Sequence, residues 1–465
     1  MWNAEFTNNT ALYGSFSGGA IYALGNFECH NSNFRNNTTA SRGGAIYYSR
    51  QPDSCASKPV TFENLVFEDN EAVEFGGAIY IETTLPSDTL NEFSFRNCNF
   101  FRNTASNAGG AINIRDKSTS SCHLFIYNSD FENNTATSTD LGMGGAIFYE
   151  ACTVVDAEYE THGTEARIDI SAGHFKNNSA TDGGALYIST TPESKTAAYI
   201  NTSSFTNNSA TGTAGAIYTG SGNYAEDAIL LLSDYTEIKN NSCGEKGGGI
   251  YADNALIMFE GEDDVIVESN TGKDDAPSNI YIPKYSAPIL SGRVKLALPE
   301  TEGSYIDFGT TPLGSNSSIG ISMEEIGDFT KYITNSTASN NLKYFFSDDS
   351  NYTVQVNSTT HQLKIDTEPE PAPDPSSSET PSSSETPSSS ETPTTSSSNE
   401  EPETPVYDKD GVKIIVEDDI EIPTNVTIRV EVRAEVKEAS SEVDYNKIKE
   451  KLSESEYISK FMTLN

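Results

Sequence analysis

The sequence predicts an all-β solenoid, a right-handed parallel β-helix, on three observations. A doubled motif, Phe-x-x-Asn and then Gly-Gly-Ala-Ile-Tyr with minor variants, recurs eight times within residues 1–251. Three of the intervals between successive motif heads, Phe34 to Phe67, Phe67 to Phe100 and Phe205 to Ile238, are 33 residues and most others lie close to that, the regime of stacked repeats. The segments are short, β-branched and aromatic, with Gly, Asn, Ser and Thr between them and no 3.6-residue period; they read as strands and exclude helical arrays.

The first half of the motif runs Phe6/Asn9, Phe34/Asn37, Phe67/Asn70, Phe100/Asn103, Phe131/Asn134, Phe175/Asn178, Phe205/Asn208 and Ile238/Asn241. Its Phe is expected to point inward and its Asn to take the left-handed conformation at a corner, bonding to the Asn of the next coil. A second column, Asn3, Asn31, Asn64, Asn97 and Asn128, stands three residues before the first five Phe. The glycines precede a strand, where a tight corner needs positive φ or leaves no room for a Cβ. In Gly76-Gly77-Ala78-Ile79-Tyr80-Ile81, alternation puts Ile79 and Ile81 on one face and Ala78 and Tyr80 on the other. The Ile face is assigned to the core, with Ile46, Ile79, Ile112, Ile147, Leu186 and Ile217 in one column and the Phe side chains in another. Segments of variable length follow each copy, several leading into a further strand such as Val60-Thr61-Phe62, so each coil carries about three strands.

This alternation of Phe-x-x-Asn with Gly-Gly-Ala-(Ile/Leu) over residues 1–282 resembles the repeat of the polymorphic outer membrane proteins, surface adhesins of autotransporter type. The resemblance implies a non-enzymatic cell-surface or secreted protein, an N-terminal export signal and a C-terminal anchor. Met1 to Phe6 begins inside a repeat, so the chain reads as a fragment.

Composition narrows the partners. There are 29 Lys and Arg against 68 Asp and Glu, a net charge of −39, so the basic footprint that nucleic acid needs is missing. An anionic membrane surface is disfavoured for the same reason, and no apolar run reaches the roughly 20 residues of a spanning helix. Cys29, Cys55, Cys98, Cys122, Cys152 and Cys243 lack metal-site spacing. Cys55, Cys122 and Cys152 fall in variable segments where bridges are feasible, and free thiols are an equal alternative. No cofactor is implied.

Residues 283–366 keep strand-like runs, at Val294–Leu298, Ser318–Ile321, Tyr344–Phe346 and Tyr352–Val356, and read as a β-rich cap. Residues 367–405 are a disordered Pro/Ser/Thr/Glu linker containing repeated Ser-Ser-Ser-Glu-Thr-Pro. Residues 406–465 form a small, incomplete α+β module, with strands at Val412–Val416 and Val426–Val436 and a helix at Tyr445–Phe461. Asn-x-Ser/Thr sequons occur at Asn8, Asn36, Asn133, Asn177, Asn201, Asn207 and Asn240, where turn chemistry also explains them, and at Asn316, Asn335, Asn351, Asn357 and Asn425, the better glycosylation candidates.

The alternative function is a β-helical polysaccharide lyase or glycoside hydrolase, which needs paired or metal-bound carboxylates beside a basic residue. Asp263-Asp264 and Asp274-Asp275 lack a neighbouring Arg or His, the five histidines are scattered, and Gly142-Met143-Gly144-Gly145 has no following helix to make a phosphate loop. Acidic residues with one Arg or Lys on a single strand face would favour the enzyme. The reading is therefore an adhesion protein whose partner is a host-cell or extracellular protein or glycan. Its candidate site is an outward aromatic ladder, Tyr22, Tyr47, Tyr80, Phe148, Tyr187, Tyr218 and Tyr251, interrupted at Asn113.

Overall fold

The computed structural model describes residues 1–12, 18–50, 58–84, 91–117, 122–152, 154–155, 161–162, 165–191, 194–221, 227–283, 305–308, 313–331, 333–367, 412–415 and 433–436. The expected strand at Val294–Leu298, the linker, the helix at Tyr445–Phe461 and Asn425 lie outside them. Met1–Pro373 is one compact unit and Asp374–Asn465 a second, whose described strands, Val412–Ile415 and Arg433–Val436, pair antiparallel.

The first unit is a parallel β-helix. Each strand pairs in parallel with its counterpart one coil away: Ile79 lies between Ile46 and Ile112, and Phe67 between Phe34 and Phe100. A coil has three longer strands, as Val60–Glu63, Val66–Glu68 and Ile79–Thr83, and a fourth segment of two residues, Glu71–Ala72, that stacks on Thr38–Thr39 and Thr104–Ala105. Both expected core columns point inward. Ile46, Ile79, Ile112, Ile147, Leu186 and Ile217 are buried, as are Phe34, Phe67, Phe100, Phe131, Phe175 and Phe205. Successive Phe rings from Phe6 to Phe205 stack with centroids 4.5 to 4.8 Å apart and planes within 8° of parallel. That interval is the strand spacing itself, so identical rotamers on identical coils leave the rings no other arrangement.

The Asn of Phe-x-x-Asn is not left-handed. Positive φ falls one residue earlier, at Asn36, Asp69, Arg102, Asn133, Asn177, Asn207 and Asn240, which frees the motif Asn to turn inward. Ten such side chains, Asn9, Asn37, Asn70, Asn103, Asn134, Asn178, Asn208, Asn241, Asn270 and Asn279, form a continuous ladder. Asn70 shows the pattern: its backbone N–H and its Nδ2 both donate to Asn103 Oδ1, at 3.1 and 2.9 Å, and Nδ2 also donates to the Phe34 carbonyl at 2.9 Å. Both amide protons are used, which requires a carboxamide of this length. The second asparagine column is left-handed, with φ of 47 to 54° from Asn3 to Asn128, and forms an exposed ladder from Asn31 to Asn128.

The two glycines of each Gly-Gly pair serve different needs. The first has positive φ, as at Gly76 (66°), whereas a Cβ on the second, Gly77, would meet the Gly110 carbonyl oxygen at 2.1 Å. Ala78 is buried with Ile79 and does not share the Tyr face. The amides of both residues donate to the Ala111 carbonyl at 2.9 Å, a bulge-like irregularity that turns two consecutive side chains inward before alternation begins.

Beyond Ile280–Ile282 the parallel pairing continues through Tyr305–Phe308, Ser318–Met323 and Phe345–Ser347. An antiparallel hairpin, Tyr352–Val356 with Leu363–Thr367, follows. A short helix, Asn335–Asn341, is the only α-helix among the described residues and is capped by Thr334 Oγ1, which accepts from the Thr337 N–H at 3.2 Å. The buried ladder ends here too: Asn279 donates from its backbone N–H to Asp348 Oδ2 at 2.7 Å and from Nδ2 to Asp348 Oδ1 at 2.5 Å. Burial raises the Asp348 carboxyl above the ordinary range, and the bonds from Asn279 work against that shift.

Candidate binding faces

The aromatic column is in register from Tyr22 through Tyr47, Tyr80, Asn113, Phe148, Tyr187, Tyr218 and Tyr251 to Tyr281. As an open surface the expected ladder needs correction, because Tyr47 and Tyr80 are fully buried and Phe148 nearly so. The Arg42 guanidinium lies 5.2 Å from the centre of the Tyr80 ring and 5.5 Å from that of Phe75, held by Glu74 at 3.1 Å. Tyr47 Oη donates to Glu82 Oε2 at 2.9 Å, and Lys117 pairs with the other Glu82 oxygen at 2.6 Å. Burial pushes the Tyr80 hydroxyl up to about 12 and that of Tyr47 further still. Side chains of the flanking columns fold over the rings; strand alternation does not determine that.

Tyr22 is 46 % exposed, and Tyr187, Tyr218 and Tyr251 are half-buried. Tyr187 and Tyr218 stack at 4.2 Å with planes 2° apart, and Tyr218 Oη donates to Asp253 Oδ2 at 2.7 Å. Rings stacked along the coil axis cover one another's faces and show solvent their edges and hydroxyls. The open part of the column therefore offers hydrogen bonds beside Asp253 rather than flat stacking faces.

The same strands carry Glu82, Arg115 and Glu150 on successive coils, an acid–base column of the kind an enzyme would need. Each charge has a partner: Arg115 bonds Glu150 Oε2 at 3.0 and 2.8 Å, and Lys117 bonds Glu82. Burial acts to raise the Glu82 carboxyl, but the bonds from Lys117 and Tyr47 outweigh it and hold the group below its usual range, the opposite of what a general acid requires.

Register also aligns residues that reading the sequence missed. Asp130, His174 and Ser204 occupy one outward column on successive coils, with His174 Nδ1 3.0 Å from Ser204 Oγ. The intervals between them, 44 and 30 residues, hid the alignment, and Asp130 makes no ion pair with His174 among the described residues. Inside the coil, Asp116 and Arg50 are fully buried, with Asp116 accepting from Thr83 Oγ1 at 2.5 Å. Asp264 is clamped by Asn316, whose backbone N–H and Nδ2 each donate to it at 2.9 Å, while Asp274 and Asp275 are exposed in a tight turn. Gly142 to Gly145 form a coil corner, with Gly144 at φ 65°.

Of the sequons in residues 283–366, Asn351 donates from Nδ2 to Asp349 at 2.8 Å and Asn357 to Asp328 at 2.8 Å, whereas Asn335 is exposed at the helix start. Cys29, Cys98, Cys122, Cys152 and Cys243 are buried thiols in no disulfide, so neither Cys122 nor Cys152 is bridged, and Cys55 lies outside the described residues. Burial pushes the Cys98 and Cys152 thiols up to about 12.

No described helix is long and apolar enough to cross a membrane. Comparison with curated proteins and with solved structures gives no match. Residues 3–24, 31–49, 64–82, 202–220 and 235–253 match the family model of the Chlamydia polymorphic membrane protein repeat. Each match spans a Phe-x-x-Asn corner, with Ile238 in the Phe place in the last, and the Gly-rich strand after it, so at these five places the coil matches the polymorphic membrane protein repeat.

Proposed function

We propose that this chain is a non-enzymatic adhesion protein displayed at the cell surface, with a host-cell or extracellular protein or glycan as its ligand. The observation that carries this reading is the repetition of one outward side-chain pattern at one strand spacing, open from Tyr187 through Tyr218 to Tyr251. Weak contacts in register add, so an extended ligand gains affinity with each coil it follows. The partly exposed tyrosine edges and Asp253 suit a ligand rich in hydrogen-bond donors. The test is binding of the full chain to glycan arrays and to cells, comparing wild type with Tyr187→Phe plus Tyr218→Phe, which keeps the stack and removes two hydroxyls. Reduced binding with unchanged melting supports the assignment; equal binding removes this face from it.

The second reading, a carbohydrate-active enzyme, rests on the Glu82, Arg115 and Glu150 column. Sustained turnover of an acidic or neutral polysaccharide that Glu150→Gln abolishes would replace the adhesion reading.

A further inference from the structure

The corner before each buried ladder residue carries a second regularity. Asn8, Asn36, Asn133, Asn177, Asn207 and Asn240 all have φ between 53 and 58°, and all are exposed. None of their carboxamides bonds to another described residue, in contrast to Asn316, Asn351 and Asn357, each of which donates to a carboxylate. Two residues on stands Thr10, Thr38, Thr135, Ser179, Ser209 or Ser242, the first residue of the two-residue strand. Every one of the six is thus an Asn-x-Ser/Thr sequon at an exposed residue. The residues that follow Asn133, Asn177 and Asn207 in the chain, among them Thr135, Ser179 and Ser209, line a concave strip of about 360 Å³.

We infer that this column is a row of N-glycan acceptor sites, and that the coil tolerates a sugar there better than at Asn316, Asn351 and Asn357, whose amides are bonded. In the transfer, Nδ2 forms a bond to C1 of a lipid-diphosphate-linked oligosaccharide. The C1–O bond to phosphate breaks, the diphosphate leaves with the electron pair, and the amide proton passes to the transferase base. Transfer acts on the chain before the coil closes, so the fold decides which products can close. A sugar on Asn36 projects into solvent and breaks no hydrogen bond. Its neighbour Asn37 is also a sequon, through Thr39, but is a fully buried ladder rung where a sugar would interrupt Asn70 and Phe6. Asn133, Asn177, Asn207 and Asn240 sit on consecutive coils roughly 4.8 Å apart, too close for four branched glycans side by side.

The experiment is secretion of the full chain through a eukaryotic secretory pathway, selection of the folded fraction, and enzymatic deglycosylation in ¹⁸O water with peptide mapping. The expected result is label at Asn36 and within the column, none at Asn37, and no molecule carrying all four sugars between Asn133 and Asn240. Ser209→Ala, which keeps Asn207 in place, should remove one site without altering the melt. Asn207→Gln is the less clean variant because it strains a left-handed position. A folded chain with label at Asn37, or one with every column position unlabelled, overturns the inference.

Discussion

Asn103 Nδ2 donates at 3.0 Å both to Asn134 Oδ1 on the next coil and to the Phe67 carbonyl on the previous one. One side chain therefore ties three coils together, and it is fully buried. Asn103→Asp removes both donors and places an acceptor against two acceptors. The expected loss is about 3 kcal/mol or more, read as a fall in the urea midpoint. Asn128→Ala, on the exposed ladder, should cost about 1 kcal/mol, mostly for its left-handed backbone.

Ala214 occupies the first position of a Gly-Gly pair, at φ 58°. Ala214→Gly should stabilise the chain by up to about 1 kcal/mol, because relief of the left-handed alanine exceeds the added chain entropy of glycine. Gly77→Ala, by contrast, meets backbone at 2.1 Å and should destabilise. Thermal melts of the two variants, shifting in opposite directions, would establish that the paired glycines answer separate demands.

Glu68 lies between Arg35, at 2.8 Å, and Arg102, at 2.5 Å, and these bonds hold its carboxyl below the usual value of about 4.3. A carboxyl lowered in the folded state binds fewer protons there than in the unfolded chain. Its contribution to stability is then fully present above about pH 4.3 and is lost as pH falls through the folded value. Wild type minus Glu68→Gln should show a constant difference at neutral pH that shrinks on acidification, followed by urea melts from pH 7 to pH 3.

Tyr80 and Tyr22 stand in the same column with opposite exposure, fully buried against 46 %. Tyr80→Ala should cost about 3 to 5 kcal/mol, as for other buried aromatics, and Tyr22→Ala about 0.5 kcal/mol or less. Equal losses in denaturation would mean that Arg42 and Glu82 do not seal the upper rings.

The buried thiols make a chemical prediction. Cys29, Cys98, Cys122, Cys152 and Cys243 should resist alkylation at pH 8 in the native chain and react after unfolding, because the thiolate is the reactive form and burial suppresses it. Mass spectrometry of native and denatured samples reads this residue by residue.

The coil was legible because its causes repeat. Phe67, Asn70, Gly76 and Ile79 each meet the same neighbour one coil away, so one physical requirement was written eight times in the chain. What escaped was set by single atoms or by neighbours from other columns. The left-handed residue is Asn36 rather than Asn37, a one-residue shift that only the ladder's hydrogen bonds reveal. Ala78 turns inward because two amides share one carbonyl, which breaks the alternation that sequence pattern assumes. Tyr47 is covered by Glu82 from the next coil and Tyr80 by Arg42 from the preceding one, and a period-two argument within a strand contains no such term. The helix at Asn335–Asn341 reads Asn-Ser-Thr-Ala-Ser-Asn-Asn, a run of weak helix formers whose main local signal is the Thr334 cap.

The carboxamide-to-carboxamide bonds of the buried ladder all run one way, each rung giving one proton to the rung on its C-terminal side and the other to a carbonyl of the preceding coil. Such a chain has a polarity, and its final member must meet a group that only accepts. Asp348, with two oxygens and no amide proton, is that terminator. Between its ends the ladder is indifferent to number: a whole coil inserted or deleted leaves each donor facing an acceptor. The surface can therefore be longer or shorter in units of one coil while the closing carboxylate remains in place.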